Sequence, residues 1–239
     1  MENKGKFIKK VFNTIANDYD KMNLILTGGF FTLWQNKVLN IMEIAEKEKI
    51  IDICCGSGKM TVEIAKRLSF EKKGKVIGID FSENMLDIAR ERVGNKELPI
   101  EFICQDALNL NFPDNSFDKG VNSFALRNLS DINRALSEMY RVIKYEGSLF
   151  VLEVSKPDNK FIRFFFEIYY YKLVPLIGRI SDKGKKIDEK YSAYEWLSES
   201  LKKFPEKKEI IASFYQAGFK EVNTKTYGFG GISLYIAKK

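Results

Sequence analysis

The chain has 239 residues, 45% of them apolar and 30% charged, and a formal net charge of +7. This size suits one well-buried α/β domain, or such a domain with an added cap, and we expect one domain. The sequence contains no histidine, which excludes the Ser/His/Asp and Cys/His mechanisms and every histidine metal site.

The positive charge is spread along the chain, which favours a soluble basic surface, with an anionic membrane face or nucleic acid as the alternatives. Neither a signal segment nor a stretch of about 18 uncharged apolar residues occurs, so we expect a protein that is neither exported nor membrane-spanning. Cys54, Cys55 and Cys104 suit neither a disulfide framework nor a zinc site. A reducing cytoplasm fits this cysteine usage best.

Strand-like and helix-like segments alternate after a first helical segment, whose apolar residues include Val38, Leu39 and Met42. The strand-like segments are IIDI (50–53), KVIGID (75–80), PIEFIC (99–104) and SLFVLEV (148–154). The helix-like segments are KMTVEIAKRL (59–68), SENMLDIARERV (82–93) and SDINRALSEMYRVIK (130–144), the last with Ser130 as N-cap and Gly147 just past its end. The alternation predicts an α/β fold with a doubly wound, mostly parallel, Rossmann-like sheet.

The C-terminal part departs from this alternation. Residues 221–229 and 232–239, joined by Gly230 and Gly231, predict an antiparallel edge pair. We expect a single domain built from an N-terminal helical cap (1–45), a cofactor-binding core (46–155), a helical lid insert (156–205) and a C-terminal helix with edge strands (206–239).

Three acids end strand-like segments. Asp52 lies in IIDICCGSGKM (50–60), Asp80 comes 22 residues after Gly58, and Asp106 another 26 residues on. In open α/β sheets ligands bind beyond the carboxyl ends of the strands, so these acids are expected to grip one ligand. Gly56 and Gly58 would let the ligand approach the backbone, the helix beginning near Lys59 would offer N–H groups to an anion, and Thr61 would add a hydroxyl.

The spacing fits S-adenosylmethionine better than a dinucleotide, which needs a third glycine where Thr61 stands and has no role for Asp106. Asp80 would hold the ribose diol and Asp106 the adenine amino group. Asp52 would face the methionyl ammonium, directly or through water.

Segments outside this loop resemble the ubiquinone/menaquinone biosynthesis C-methyltransferase family almost end to end. The most specific are YDKMNLILTGGFFTLW (19–34), with Thr27 and Phe31 where serine and histidine are usual, and RVIKYEGSLFVLEVSKP (141–157), with Tyr145 and Glu146 in place of Pro-Gly. Residues 113–118, 123–131 and 191–205 are also similar.

The resemblance implies a class I methyltransferase fold, contacts to S-adenosylmethionine from Thr61, Asp80, Asp106, Ala107 and Ser123, and no metal. It also implies methylation of a ring carbon of a prenylated quinol, with demethylmenaquinol the favoured substrate. The alternatives are another hydrophobic or small acceptor and a cofactor-binding protein without turnover in a quinone-biosynthesis complex.

Ring carbons become nucleophilic when the neighbouring phenol ionises, which predicts a cation in the site. Arg127 is expected to hold the phenolate oxygen, with Asn128 orienting it or a water. Tyr19 is expected to cover the sulfonium or relay a proton, and Glu153 is an alternative base.

The segment 161–180 is aromatic but contains Arg163, Glu167, Lys172 and Arg179, so it is not expected to span a bilayer. It predicts either buried packing or a tail-binding lid that touches the membrane, helped by Lys183, Lys185 and Lys186. The expected partners are a prenylated quinol, a peripheral membrane surface at the inner face, and a second copy of the chain as a homodimer option; nucleic acid is not expected.

Overall fold

A computed structural model describes residues 2–16, 19–181 and 192–239. Its helices are α1 (Glu2–Ile15), α2 (Tyr19–Thr27), α3 (Phe30–Met42), α4 (Lys59–Ala65), α5 (Glu83–Val93), α6 (Ile132–Val142), α7 (Lys160–Ile168), α8 (Val174–Ser181), α9 (Ala193–Lys203) and α10 (Lys207–Ala217), with a π-helical turn (Tyr169–Leu173) between α7 and α8. Its strands are β1 (Lys49–Ile53), β2 (Lys75–Asp80), β3 (Ile100–Cys104), β4 (Phe117–Ser123), β5 (Ile143–Val154), β6 (Glu221–Tyr227) and β7 (Ile232–Lys238).

The strands of the described residues form one sheet in the order β3-β2-β1-β4-β5-β7-β6. Strands β1 to β5 pair in parallel, whereas β7 is antiparallel to both β5 and β6. The predicted doubly wound sheet with an antiparallel C-terminal pair is therefore confirmed, and β6 is the strand that forms the edge. The strand order changes direction between β1 and β4, which is the topological switch point of the sheet. The ligand-binding crevice of such a sheet lies beside this point, at the carboxyl ends of β1, β2 and β4.

The residues buried on the two faces of the sheet explain the continuous apolar segments of the sequence. Residues Ile50, Ile51, Ile53 and Val121 have no exposed surface, as expected for strands covered by helices on both sides. A second cluster, which we call the cap core, lies apart from this main core and joins α1 and α2 to α8 and α9. Its buried members are Ile8, Val11, Ile15, Met22, Val174, Tyr194, Trp196 and Leu197.

The boundary between α6 and β5 differs from the prediction. Asp131, not Ser130, is the N-cap, since its side chain accepts a hydrogen bond from the N–H of Arg134 at 2.9 Å. Gly147 does not end the helix, because β5 starts at Ile143 and Gly147 lies within that strand, in the irregular stretch between the pairs Phe117–Ile143 and Lys119–Ser148. A Cβ at Gly147 would lie 2.7 Å from the carbonyl oxygen of Asp118, so close approach of the two strands requires glycine.

The helices of the aromatic segment lie before a part of the chain outside the described residues. Lys183, Lys185 and Lys186 fall within 182–191, so their predicted role is not addressed by the structure. In the part of the chain that the structure describes, we find no helix with the length and apolar character needed to cross a bilayer.

Candidate active site

The carboxylate of Asp80 is fixed at the end of β2 by the loop that follows β1. The N–H of Gly56 donates to Asp80 Oδ2 at 3.0 Å, and the N–H of Ser82 donates to Oδ1 at 2.9 Å. Gly56 has a φ of 54°, a conformation that glycine adopts without a steric penalty. The loop and the strand end thus hold each other in place and leave lone pairs of Asp80 for a ligand.

Asp52 is almost fully buried at the end of β1. The hydroxyl of Thr61 donates to Asp52 Oδ2 at 2.6 Å. Burial raises the pKa of Asp52 to about 7, the Thr61 hydrogen bond opposes this, and the charge of Asp80 adds to it. Burial likewise raises the pKa of Asp80 to about 6 against the hydrogen bonds from the backbone. Two carboxylates that are costly to charge together suit a cationic ligand, such as the ammonium of S-adenosylmethionine.

Two adjoining cavities lie beside these carboxylates. A cavity of about 90 Å³ contains most of the predicted site residues in its walls: Tyr19, Gly56, Asp80, Asp106, Ala107, Ser123 and Asn128. A smaller one of about 30 Å³ shares Tyr19, Gly56 and Ser123 and adds Asp52. Together they form what we call the cofactor cavity. Asp106 lies in it with its Oδ1 accepting from the N–H of Leu108 at 2.9 Å, a local turn that sets the direction of the carboxylate.

Gly58 and Thr61 lie outside these walls. A Cβ at Gly58 would be 2.6 Å from the Cβ of Ala89, so this glycine allows α5 to pack closely against the loop. Thr61 is fully buried and its hydroxyl donates to Asp52, so it orients that carboxylate. The contacts of Gly58 and Thr61 to the cofactor stay predictions.

A third, larger cavity of about 380 Å³ adjoins the cofactor cavity and shares Phe12, Tyr19 and Phe124 with it. We call it the acceptor cavity. Its walls are mainly apolar and come from the cap, the lid and the β6–β7 turn, and they include Ile25, Phe31, Trp34, Phe166, Tyr170, Val174, Leu197 and Gly228. Phe31, which stands where the resembling family has histidine, stacks on Phe124 with ring centroids 4.8 Å apart.

Arg127 is a wall residue of the acceptor cavity and is buried beside Glu153. One terminal nitrogen, Nη1, donates both to Glu153 Oε1 and, at 3.0 Å, to the carbonyl of Phe124. Burial disfavours the charge, but Glu153 outweighs it and holds the pKa of Arg127 above its usual range. The Nε–H of Arg127 has no partner among the described residues. Nη2 likewise forms no hydrogen bond with the described residues, so Nε and Nη2 are the donors left for a ligand oxygen.

Glu153 has its acceptor sites occupied. Oε1 also accepts from the N–H of Val154 at 2.8 Å, and Oε2 accepts from the N–H of Arg127 at 3.1 Å. The side chain is fully buried. These contacts make Glu153 the counter-charge of Arg127 and oppose the alternative role of a base.

Asn128 connects the lid to the cofactor cavity. The indole N–H of Trp196, in α9, donates to Asn128 Oδ1 at 3.1 Å. The Nδ2 group of Asn128 is buried and has no partner in the described parts of the chain. Because Trp196 fixes which side of the amide is the donor, Nδ2 is available to an acceptor in the cofactor cavity.

Tyr19, from α2, is the residue common to all these cavities. Burial raises the pKa of its phenol. At neutral pH the ring therefore stays protonated, which suits a cover for the transferring methyl group or a proton donor and does not suit a base.

Several wall residues were missed by the sequence interpretation. Ile8 and Phe12 come from α1, whose apolar residues at Ile8, Val11 and Ile15 follow the helical period. Phe124 directly follows the end of β4. The helical period of α1 and the position of Phe124 after a strand end are signals in the sequence that could have indicated these residues. No local pattern shows that α1 lies over the crevice.

An open α/β sheet with a carboxylate after each of three adjacent strands and an apolar acceptor cavity beside them defines a class I, S-adenosylmethionine-dependent methyltransferase. The model of the ubiE/COQ5 methyltransferase family matches residues 1–239, and the chain belongs to that family.

Curated relatives cover nearly the whole chain. A demethylmenaquinone methyltransferase of Staphylococcus carnosus (strain TM300) is 35% identical over 97% of this chain and 92% of its own length. One from Geobacillus stearothermophilus is also 35% identical, over 100% of this chain and 99% of its own. Among solved structures, a SAM-dependent methyltransferase from Thermotoga maritima, a possible histamine N-methyltransferase, has a TM-score of 0.63 at 23% identity, with 96% of this chain and 98% of that one covered. At that identity the likeness concerns the fold alone.

Proposed function

We propose that the protein transfers the methyl group of S-adenosylmethionine to a ring carbon of a polyprenylated quinol, converting demethylmenaquinol to menaquinol. The observation that carries the proposal is the shared wall. Tyr19 and Phe124 border both the cofactor cavity and the apolar acceptor cavity, so a ring in the second faces a methyl group held in the first. The names of the full-length relatives support the naphthoquinol over the benzoquinol of ubiquinone biosynthesis.

S-adenosylmethionine supplies an electrophilic methyl group. Asp52 would face its ammonium, Asp80 the ribose hydroxyls and Asp106 the adenine amino group. Holding the methyl donor and the acceptor carbon in line lowers the activation free energy by up to roughly 7 to 11 kcal/mol in well-oriented cases. Most of the rate enhancement would therefore come from the way the cavity walls position the two substrates.

Arg127 would assist by stabilising the quinol oxygen. Ionising a phenol of pKa about 10 costs on the order of 4 kcal/mol at pH 7. Arg127 is a buried wall residue of the mainly apolar acceptor cavity, where a hydrogen bond from Nε or Nη2 to an oxyanion would be strong. Since Glu153 balances the guanidinium charge, the stabilisation would come from these directed donors more than from net charge.

A labelling assay tests the proposal. Purified protein is incubated with methyl-labelled S-adenosylmethionine and either demethylmenaquinol or the matching benzoquinol, and label in the quinol is measured. Transfer to the naphthoquinol is expected. Tight binding of S-adenosylmethionine without transfer to any quinol would contradict the proposal and favour a component without turnover.

Variants separate the roles of the two cavities. Asp80→Ala should abolish measurable binding of S-adenosylmethionine. Arg127→Lys, which keeps a cation beside Glu153, should spare that binding and lower kcat by about 100-fold, as for loss of an oxyanion donor. Arg90→Lys, which alters an exposed arginine paired with Glu83 and Asp87, is the matched control. The reverse pattern would show that the roles are misassigned.

We also propose that the protein works in the cytoplasm and contacts the inner face of the membrane peripherally, since a polyprenylated acceptor resides there. A homodimer remains compatible with this arrangement.

A further inference from the structure

The acceptor cavity opens at the surface where three connections of the chain meet. Ile25 and Gly228 belong to its wall and are themselves exposed. The hydroxyl of Tyr169 donates to the carbonyl of Leu26, which ties the π-helical turn to α2. Trp34 of α3 lies against Gly228. The mouth of the cavity is thus bordered by the α2–α3 region, by the α7–α8 region and by the β6–β7 turn.

Large apolar side chains are exposed on these same elements. Helix α7 has no buried residue, and Phe161 on it is 73% exposed; Phe229, in the β6–β7 turn, is 86% exposed. The exposed set, which we call the apolar rim, consists of Leu24, Ile25, Phe30, Leu33, Phe161, Phe164, Phe165, Leu173, Leu176 and Phe229. Single exposed apolar residues are ordinary, but a set concentrated on the elements that border one cavity indicates a site of interaction.

Exposed lysines flank each part of the apolar rim. Each of four exposed lysines is within four residues of a rim residue in the sequence: Lys21, Lys37, Lys160 and Lys172. The Nζ of Lys37 also lies over the ring of Tyr227, 4.9 Å from its centroid. None of these lysines forms a salt bridge within residues 2–16, 19–181 and 192–239. By contrast, Arg163 on α7 is paired with both Glu167 and Glu206. Apolar side chains ringed by exposed cations match the acyl chains and anionic head groups of a lipid surface.

We propose that the apolar rim is a docking surface for an anionic lipid bilayer and turns the mouth of the acceptor cavity toward the acyl chains. The identity of the cargo rests on the proposed function. A cavity of about 380 Å³ accommodates a quinol ring and the start of its tail. Docking by the rim would leave the remainder of a polyprenyl tail in the bilayer, so the acceptor never has to enter water.

Vesicle sedimentation tests the surface directly. The full chain is mixed with vesicles of phosphatidylglycerol and phosphatidylcholine, or of phosphatidylcholine alone. We expect binding to the anionic vesicles that weakens with added salt, and little binding to the neutral ones. The triple variant Phe161→Ser, Phe164→Ser and Phe165→Ser should weaken binding by at least about tenfold, since each ring no longer leaves water.

Phe70→Ser is the matched control. Phe70 is 60% exposed but lies in the connection that leads into the start of β2, at the amino ends of the parallel strands and so away from the cavities at their carboxyl ends. It should bind vesicles as the unaltered protein does. Unchanged binding of the triple variant, or an equal loss in Phe70→Ser, would overturn the proposal. So would a dimer that the triple substitution converts to a monomer without any vesicle binding, because the rim would then be a contact between copies.

A second readout separates this proposal from the proposed function. With a short-tailed, detergent-dispersed quinol the triple variant should retain the transfer rate of the unaltered protein, whereas with long-tailed quinol in vesicles it should lose at least about tenfold. If the unaltered protein binds vesicles but methylates neither quinol, the proposed function fails and the docking surface stands. If it methylates both without binding vesicles, the docking surface fails alone.

Discussion

Asp52 links cofactor binding to pH. Its pKa of about 7 lies far above the 3.8 of an ordinary aspartate because it is buried. A carboxylate must be charged to attract an ammonium, so the affinity for S-adenosylmethionine should rise as pH increases from 5.5 to 7. Titration calorimetry in buffers of different ionisation enthalpy should show proton release on binding. An affinity that is constant over this range would contradict the assignment.

The stability of the cofactor-free protein should change in the opposite direction. A carboxyl whose folded pKa is raised favours folding at low pH, and this contribution is lost as pH rises from about 4 to about 7. Asp52→Asn should remove part of both pH dependences, and the part due to Asp80, with its pKa of about 6, should remain. Thermal unfolding at several pH values measures this. Asp118→Asn, which alters a carboxyl whose pKa is lowered, is the control with the opposite sign.

Glu146 occupies a backbone conformation that glycine favours. Its φ is 62°, in the left-handed region, at a position where the resembling sequences have glycine. A side chain in that region costs roughly 1 to 2 kcal/mol, and glycine loses about 0.5 to 1 kcal/mol of entropy on folding. Glu146→Gly should therefore raise the free energy of unfolding by about 0.5 to 1 kcal/mol in urea denaturation. Thr224→Gly, in the extended edge strand β6, should lower it.

Helix α9 couples the lid to the cofactor cavity through one hydrogen bond. A capping box at Ser192 and Glu195 fixes the start of the helix, and thereby the position of Trp196. Trp196→Phe keeps the ring but removes the N–H that orients Asn128. We expect a loss of about 1 to 3 kcal/mol in stability, because a buried acceptor loses its partner, with weaker binding of S-adenosylmethionine.

Trp34→Phe is the matched substitution for this measurement, since Trp34 borders the acceptor cavity and not the cofactor cavity. It should leave the affinity for S-adenosylmethionine unchanged in titration calorimetry. If Trp196→Phe and Trp34→Phe changed the affinity for S-adenosylmethionine equally, the role assigned to Asn128 in cofactor binding would be contradicted.

Across the whole molecule, the described residues form two hydrophobic cores, and residues of both line the cofactor cavity. Ile8 and Phe12 reach it from the cap side, and Asp80 and Ser123 reach it from the sheet. Asp20 of α2 bonds Arg92 and accepts from Ser57 Oγ at 2.9 Å, so a partly exposed polar contact helps to hold the cap on the loop. Contacts of this kind contribute little, about 0 to 1 kcal/mol.

We therefore expect the cap to open more readily than the sheet. Hydrogen exchange followed by mass spectrometry should show that S-adenosylmethionine slows exchange in α1 and α2 by at least about tenfold, whereas α10, which packs on α6, stays unchanged. Equal protection of α10 would mean that the chain opens as one unit.

Much of this architecture is determined by local patterns in the sequence. Apolar segments such as IIDI and KVIGID end in acids, and a parallel sheet necessarily gathers strand ends at one edge. The sequence by itself therefore predicted that Asp52, Asp80 and Asp106 lie at one edge of the sheet, and in the structure they line adjoining cavities. The antiparallel pair of C-terminal strands, β6 and β7, was likewise predicted from the sequence around Gly230 and Gly231.

Contacts between distant segments could not be read in this way. The neighbours of three predicted site residues depend on packing across the fold. Gly58 packs against Ala89, Thr61 donates to Asp52, and Arg127 pairs with Glu153. The apolar rim is a further example, because its residues come from separated elements and only their meeting at one cavity mouth gives them a common role. Periodicity records which side of an element is buried, but the partner on that side is set by the closure of the whole chain.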